Sequence, residues 1–137
     1  MNPLDFREPY ELSLFAQAGD IDALGHVNNT VYIRWVQQAA ISHWEKLAPA
    51  ETKQEIVWMV LRHEIDYKSA AREGDTIILR TWIGLAEGLR FDRHTEILNG
   101  DRKLLAQAKT TWCPIDPQTG RPKKVSAEVR KMFSTND

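Results

Sequence analysis

One long amphipathic helical segment precedes four alternating segments, and this order constrains the fold more than any other feature of the sequence. A first strand is predicted at residues 10–15 and the helix at residues 29–47. The apolar side chains of the helix recur at three- and four-residue steps: Tyr32, Trp35, Val36, Ala39, Ala40, Trp44 and Leu47. They cover roughly half of the circumference, so we expect a curved surface to enclose this helix.

Beyond Pro49 the sequence changes to the period of two that is typical of strands. Four strands are predicted, at residues 57–67, 77–85, 91–98 and 104–115. In the first of them the alternation assigns one face to Val57, Met59, Leu61, His63, Ile65 and Tyr67, and the other to Arg62, Glu64 and Asp66. Turns that contain Gly74, Gly88 and Gly100 separate the strands. A tight hairpin is expected at Asn99–Gly100, because both residues tolerate a positive φ.

Short turns between successive strands require an antiparallel sheet, and a single long helix can cover one face of it. A short helix is predicted at residues 126–133. The 137 residues are therefore predicted to form one α+β domain, without repeats or an interdomain linker. One helix leaves the sheet edges uncovered, so pairing with a second copy of the chain is expected.

The charge balance argues against two broad classes of partner. There are 18 Lys and Arg residues against 19 Asp and Glu, for a net charge of -1, whereas binders of nucleic acid or of a membrane surface favour a basic surplus. A local basic cluster of Arg121, Lys123 and Lys124 is either solvated surface or a site for a small anion. No apolar run approaches about 18 residues and no secretory leader is evident, so a cytoplasmic protein is expected.

Cys113 is the only cysteine, so the chain cannot form an internal disulfide. Its position in a predicted strand favours a buried structural thiol over a nucleophile. The sequence contains no cluster of residues with the spacing of metal ligands. We therefore expect neither a metal nor a cofactor.

The segment of residues 20–35 is the richest in chemistry. Asp20, Asp22, His26, Asn28 and Asn29 fall within ten residues, immediately before the predicted helix. A carboxylate beside the electropositive start of a helix is suited to attack a carbonyl group whose oxygen needs stabilisation. This arrangement indicates an enzyme.

The pattern Asp-x-Asp-Ala-x-Gly-His-Val-Asn-Asn-x-x-Tyr at residues 20–32 resembles the signature of hotdog-fold acyl thioesterases, the 4-hydroxybenzoyl-CoA thioesterase-like and acyl-carrier-protein thioesterase enzymes. The likeness continues through residues 65–75 and 119–122, and so covers nearly the whole chain. It implies a five-stranded antiparallel sheet wrapped around one central helix, in a homodimer or homotetramer with sites at the interface between subunits. It also implies hydrolysis of acyl-CoA or acyl-carrier-protein thioesters in lipid metabolism, with coenzyme A as part of the substrate and no separate cofactor.

The resemblance assigns the catalytic carboxylate to Asp22 and the stabilisation of the thioester oxygen to the N–H of Asn29, with Val27 and Asn28 adjacent. The residues alone leave a structural alternative for Asp22, as an aspartate that forms a turn or precedes a helix. A single carboxylate can act as a nucleophile that forms an anhydride or as a base that activates water, and the sequence does not choose between these roles.

The neighbouring residues are assigned supporting roles. Asp20 is expected to orient the loop through local N–H groups, and Gly25 to permit its tight turn. A histidine at the position of His26 belongs to the catalytic set of the plant-type acyl-carrier-protein thioesterases. Those enzymes carry an asparagine where this chain has Leu24, which leaves His26 open between assisting catalysis and holding the turn. Asn28 and Asn29 are also natural helix caps.

Substrate contacts are predicted at two kinds of residue. Trp35, Trp58, Met59 and Trp82 have the pattern of core residues, and one or two of them are candidates to line an acyl or aryl channel, with Trp58 and Met59 assigned to substrate contact. Gly25 and Val27, beside the reacting carboxylate, are also assigned to substrate contact. The phosphates of coenzyme A or of a carrier-protein prosthetic group are predicted to meet basic side chains: Arg90, Arg121, Lys123 and Lys124. His63 is expected in the core or at an interface, and Glu64 in solvent.

Two other functions remain open at this stage. Gly25–His26 partly matches the Gly-His pair of hotdog hydratases and dehydratases, although Val27, Asn28 and Asn29 stand where those enzymes are rich in Phe and Pro. A non-catalytic acyl-CoA-binding module would keep the pocket but not the reacting carboxylate, so the presence of Asp22 favours an enzyme. Acyl length, aryl or alkyl preference and the identity of the thiol are beyond the sequence.

Overall fold

The computed structural model describes residues 5–133. Its strands are β1 (Tyr10–Phe15), β2 (Val57–Tyr67), β3 (Thr76–Glu87), β4 (Arg90–Asn99) and β5 (Leu104–Ile115). Its helices are α1 (Asn29–Leu47), α2 (Ala50–Glu55) and α3 (Ala127–Phe133), with one 3-10 turn at Ala18–Asp20. The predicted limits of β1, β2, β5 and α1 are confirmed. The six-residue helix α2 was not predicted, because it is too short to show an apolar period.

The five strands form one antiparallel sheet in the order β1-β3-β4-β5-β2. Although β2 and β3 follow one another in the sequence, they are not neighbours in the sheet: β2 pairs with β5 at the far edge. The segment of residues 68–75 crosses the sheet, from a hydrogen bond with the Leu105 carbonyl to one with the Ala16 carbonyl. This crossing segment passes beside the start of α1 and takes part in the site.

Helix α1 packs on one face of the sheet, the inner face, as the resemblance implied. Val36, Ala39 and the Trp35 indole are almost fully buried against Leu79 and Ile97. A second apolar cluster, around Phe6, Phe91 and Phe133, covers the end of α1 with help from α3. Each large side chain buried in this way stabilises the fold by about 1.5–3 kcal/mol. The core therefore has two apolar parts, one at each end of α1.

A β-bulge in β2 corrects the predicted faces of that strand. The pairing with β5 shifts by one residue between Val60 and Arg62. Because each added residue reverses the alternation, Met59 lies opposite Cys113 on the outer face, whereas His63 lies opposite Thr110 on the inner face. The prediction that placed Val57, Met59 and Leu61 on the face of His63, Ile65 and Tyr67 is therefore wrong. The assignment from His63 onward is confirmed.

The hairpin after β4 forms as predicted, but its geometry differs. The positive φ falls at Arg102, at 63°, and not at Asn99 or Gly100. The Asn99 side chain accepts hydrogen bonds from the N–H groups of Asp101 and Lys103 and thereby closes a longer loop than a two-residue turn. Cys113 is buried, and burial raises the pKa of its thiol.

No helix in the described part of the chain has the length and apolar character that a membrane span requires.

Candidate functional site

Hydrogen bonds to the side chain and backbone of Asp22 close the turn that precedes α1. One carboxylate oxygen, Oδ1, accepts hydrogen bonds from the N–H groups of Leu24, at 2.8 Å, and His26, at 3.2 Å. The Asp22 N–H donates to the His26 carbonyl at 2.7 Å, and its carbonyl accepts from Gly25. Gly25 has φ +79° with open space around it, so a larger residue there is excluded by its backbone conformation alone.

The other carboxylate oxygen of Asp22, Oδ2, has no hydrogen-bond partner among residues 5–133, and the side chain is only partly buried. One oxygen thus holds the turn while the other is available to a ligand. The two interpretations of Asp22, as a turn former and as a reactive group, are compatible because they use different oxygens.

The first helical turn of α1 is capped by Asn28. Its Oδ1 accepts from the N–H and the hydroxyl of Thr30, both at 3.0 Å, and its carbonyl accepts from the N–H of Val31. These bonds use the side chain of Asn28 as an N-cap. The side-chain oxygen of Asn28 is therefore occupied by hydrogen bonds from Thr30. Any catalytic role of Asn28 would depend on its position at the helix start and not on that oxygen.

The backbone N–H groups at the helix start differ in their availability. The N–H of Val27 donates to the carbonyl of Ala71 and the N–H of Asn28 to the carbonyl of Asp20, each at 2.8 Å. The N–H of Asn29 has no acceptor within the described residues. At the positive end of a 19-residue helix, an unpaired N–H is suited to hold a developing oxyanion.

Asp20 is buried and supports the loop. Its Oδ2 accepts from the N–H of Gln17 at 2.9 Å, as expected of a residue that orients local N–H groups, and its Oδ1 pairs with Arg34 Nη2 at 2.7 Å. Burial acts to raise the pKa of Asp20, but the hydrogen bonds from Arg34 and Gln17 outweigh it and leave that pKa below its usual value. The contribution of Arg34 was not foreseen, because it lies fourteen residues away.

The side chains of His26 and Val27 differ in how deeply they are buried. The His26 side chain is partly buried, and its ring makes no hydrogen bond to a described residue, so its role stays open. Val27 is 3% exposed and belongs to the core beside Trp35, so its side chain is not on the surface of the site.

Two tyrosines that the sequence did not single out tie other elements to the helix start. The hydroxyl of Tyr67, the last residue of β2, donates to the Asn29 carbonyl at 3.2 Å. Its ring meets that of Tyr32 edge-on, with centroids 5.3 Å apart. The Tyr32 hydroxyl accepts from the N–H of Ala71 at 2.9 Å. Tyr32 is the last residue of the motif and Tyr67 lies in the alternating pattern of β2, but neither pattern indicates a partner for the hydroxyl.

An aromatic cavity of about 650 Å³ lies at the other end of α1. Trp58 and Met59, predicted to contact substrate, are in its wall. Its aromatic lining residues are Trp44, Trp58, Phe91, Trp112 and Phe133. Asn29 and Trp44 are separated by about 22 Å along the helix at 1.5 Å per residue. One chain therefore does not bring Asp22 together with Trp58 and Met59.

The predicted phosphate-binding residues lie at the cavity end of the sheet. Arg90 begins β4, next to Phe91, which is paired with Trp112 of β5. Arg121 and Lys123 follow β5, where the N–H of Lys123 donates to the Pro114 carbonyl. Within residues 5–133, no three His, Cys, Asp or Glu side chains come together as a metal-binding group.

The chain matches a family model over residues 16–133, and that family is described as the thioesterase-like superfamily. No curated protein matches the chain by sequence. The chain is, however, similar in structure to many solved proteins.

Three of these structures illustrate the similarity. The DHNA-CoA thioesterase of Staphylococcus aureus is 22% identical, with a TM-score of 0.77 over 85% of this chain and 80% of that one. A predicted thioesterase of Bacillus stearothermophilus is 18% identical, with a TM-score of 0.82 over 92% and 94%. A Thermus thermophilus thioesterase solved with coenzyme A and Zn is 20% identical, with a TM-score of 0.77 over 90% of both chains. At these identities the similarity establishes the hotdog fold.

Proposed function

The chain belongs to the thioesterase-like superfamily, and on that premise we propose that it hydrolyses acyl thioesters with Asp22 as the reacting carboxylate. The proposal rests on two groups that lie beside the start of α1 and are both free of hydrogen bonds to residues 5–133. Asp22 Oδ2 and the Asn29 N–H both lack partners among the described residues, whereas the groups around them are hydrogen-bonded. A nucleophile or base next to an oxyanion donor is the minimum that acyl transfer to water requires.

The reaction converts an acyl thioester and water into a carboxylic acid and a thiol. With Asp22 as nucleophile, its oxygen bonds to the acyl carbon, the carbon–sulfur bond breaks and the sulfur leaves as a thiolate, which takes a proton from water. Water then hydrolyses the mixed anhydride and regenerates the carboxylate. With Asp22 as base, water attacks the acyl carbon while the carboxylate takes a proton from it, and Asp22 returns that proton to the sulfur as the carbon–sulfur bond breaks. In both routes the N–H of Asn29 stabilises the charged oxygen of the tetrahedral intermediate.

The complete site is proposed to need two copies of the chain. Strand β2 is an eleven-residue edge strand, and about half of the surface of Val57, Met59 and Leu61 is exposed along it. A long apolar edge of this kind favours pairing. If two β2 strands pair antiparallel about a twofold axis, Val57 at the cavity of one copy approaches Tyr67 of the other. Because Tyr67 contacts Asn29, the catalytic turn of one copy then meets the cavity of its partner.

The thiol portion of the substrate is proposed to be coenzyme A or the equivalent arm of a carrier protein. Arg90, Arg121 and Lys123 lie at the cavity end of the sheet and would meet its phosphates. The presence of coenzyme A in the Thermus thermophilus structure supports this choice.

The test is release of free thiol from a panel of short, long and aromatic acyl-CoA and acyl-carrier-protein thioesters, with wild type and Asp22→Asn. The amide can still accept the two hydrogen bonds that close the turn, so the variant should fold. We expect a loss of about 10²–10⁴-fold in turnover, the usual contribution of a reacting acid or base. Asp101→Asn, an exposed aspartate in the loop after β4, is the matched control. Undiminished turnover in Asp22→Asn would refute the assignment, and hydration of crotonyl-CoA without thiol release would indicate a hydratase instead.

A further inference from the structure

A buried arginine without a counter-ion lies between the two apolar parts of the core. Arg93 is on the inner face of β4, is 4% exposed, and forms part of the wall of the aromatic cavity. Its Nη1 donates to His43 Nδ1 at 2.9 Å and to Thr81 Oγ1 at 3.0 Å. Both acceptors are neutral. No carboxylate among residues 5–133 forms an ion pair with Arg93.

The charge of this group persists at neutral pH. Burial lowers the pKa of Arg93 to about 9, which leaves the guanidinium protonated. Burial, and then the charge of Arg93, lower the pKa of His43 to about 3. The imidazole is therefore neutral and accepts the Arg93 hydrogen bond through Nδ1. The pair carries one net positive charge in the interior of the fold, where the neighbouring side chains Thr81, Thr95 and Thr110 are polar but uncharged.

A purely structural role explains this arrangement poorly. A buried charge is costly unless it is paired, and apolar residues of similar volume often replace buried ionic groups without loss of stability. The flanking positions on the same face, Phe91 and Thr95, are uncharged and offer Arg93 no counter-ion. The missing counter-ion of Arg93 is therefore expected to come from a ligand.

The hydrogen bonds of Arg93 indicate which part of the guanidinium meets that ligand. His43 and Thr81, which hold Nη1, are not in the described wall of the cavity, whereas Arg93 is. Its Nε and Nη2 have no acceptor within the described part of the chain. These two nitrogens form the fork that binds the two oxygens of a carboxylate in parallel.

We propose that the cavity takes an acyl group that ends in a carboxylate, so that the substrate is the monothioester of a dicarboxylic acid with Arg93 as its counter-ion. The aromatic walls accommodate the apolar spacer between the two ends, while the charged end meets the guanidinium. This assignment of a substrate class rests on the proposed function. In the paired arrangement, the thioester end of the same molecule reaches Asp22 of the other copy.

The experiment compares matched thioesters that differ only at the far end of the acyl group. Thiol release is measured for adipoyl-CoA against hexanoyl-CoA and for sebacoyl-CoA against decanoyl-CoA, with wild type and Arg93→Met. We expect wild type to favour the dicarboxylic member of one pair by at least about tenfold in kcat/KM, since a site with a buried polar group rejects an analogue that leaves it unpaired. In Arg93→Met that ratio should fall to about one. Arg80→Met, on the outer face of β3, should keep the wild-type ratio.

A second measurement uses wild type alone, because Arg93→Met removes a core residue. Trp44, Trp58 and Trp112 line the cavity, so binding of the free acids can be followed by tryptophan fluorescence, with sebacate against decanoate. Preference for sebacate supports the proposal even if no thioester is hydrolysed, in which case only the proposed function fails. A wild-type ratio near one in both pairs, an unchanged ratio in Arg93→Met, or preference for decanoate would each overturn the proposal.

Discussion

The hydroxyl of Tyr32 accepts a hydrogen bond from the backbone N–H of Ala71 at 2.9 Å, and both residues are buried. The carbonyl of the same Ala71 accepts from the N–H of Val27 at 2.8 Å. Ala71 is therefore held between a side chain of α1 and the loop that carries Asp22. Through these two bonds the crossing segment sets the position of the turn that carries Asp22 relative to the helix.

Replacement of Tyr32 by Phe should destabilise the protein by about 1–3 kcal/mol, because the buried N–H of Ala71 loses its acceptor. Urea unfolding measures this change. Tyr67→Phe is the matched control: its hydroxyl bond is 3.2 Å long at an exposed site, so its loss should cost less. Equal free energies of unfolding for the two variants would contradict the importance of the Tyr32–Ala71 bond.

The two asparagines at the helix start should respond differently to alanine. Asn28→Ala removes the N-cap and should cost about 1 kcal/mol of stability. Asn29→Ala keeps the backbone N–H that is proposed to hold the oxyanion, so turnover should stay within a few-fold of wild type. Thermal unfolding and thiol-release kinetics of both variants decide this. A large loss of turnover in Asn29→Ala without a loss of stability would show that its side chain, and not its N–H, acts on the substrate.

Acid should destabilise the protein through His43. The unfolded histidine takes up a proton near its ordinary pKa of 6.5, whereas the folded one does so only near 3. Its contribution is therefore complete above pH 6.5 and is lost as the pH falls toward 3. Between pH 6.5 and 5 the loss should be on the order of 2 kcal/mol.

The matched variant for this titration is His43→Gln, which keeps an acceptor for Arg93 but cannot be protonated. Free energies of unfolding across the pH range should fall less steeply for this variant than for wild type. If the free energies of unfolding of the two proteins fall equally steeply with decreasing pH, His43 is not the cause of the loss of stability in acid.

Strand β2 should control assembly and activity together. Leu61→Glu places a charge at an edge position where the leucine is 50% exposed, so we expect a shift to monomer in size-exclusion chromatography and a loss of turnover with Asp22 intact. Leu85→Glu changes a leucine of similar exposure, 41%, in β3, which is not an edge strand. If the Leu61→Glu variant is monomeric and still active, the site does not require two copies of the chain.

Local patterns predicted the elements of the fold but not their order in the sheet. The period of α1 and the alternation of β5 are carried by neighbouring residues, so their limits could be found from the sequence. The pairing of β2 with β5 joins residues that are 39 (Tyr67 and Ala106) to 58 (Val57 and Ile115) positions apart. The bulge at Leu61 has no mark such as a glycine, and for that reason the outer position of Met59 was missed.

The candidate site also has a part that the sequence could predict and a part that it could not. The motif placed Asp22, Gly25 and Asn29 in one contiguous segment, where a resemblance could identify them. Arg93 and His43 meet only in three dimensions, fifty residues apart. The alternation of β4 places Arg93 on the same face as Phe91 and Thr95, but no local pattern shows that the folded core leaves it without a counter-ion among residues 5–133, so the charge in the cavity could not be predicted.

The burial of Cys113 has a practical consequence for measuring thiol release by this protein. The single sulfhydryl lies in β5 at 4% exposure, and burial raises the pKa of its thiol, so the reactive thiolate is scarce while the chain is folded. In an assay of thiol release, a colorimetric reagent such as a disulfide dye will then give little background from the folded protein. Once the chain unfolds, the same dye will label one equivalent per molecule, which supplies an internal count of how much of each variant was still native during the assay.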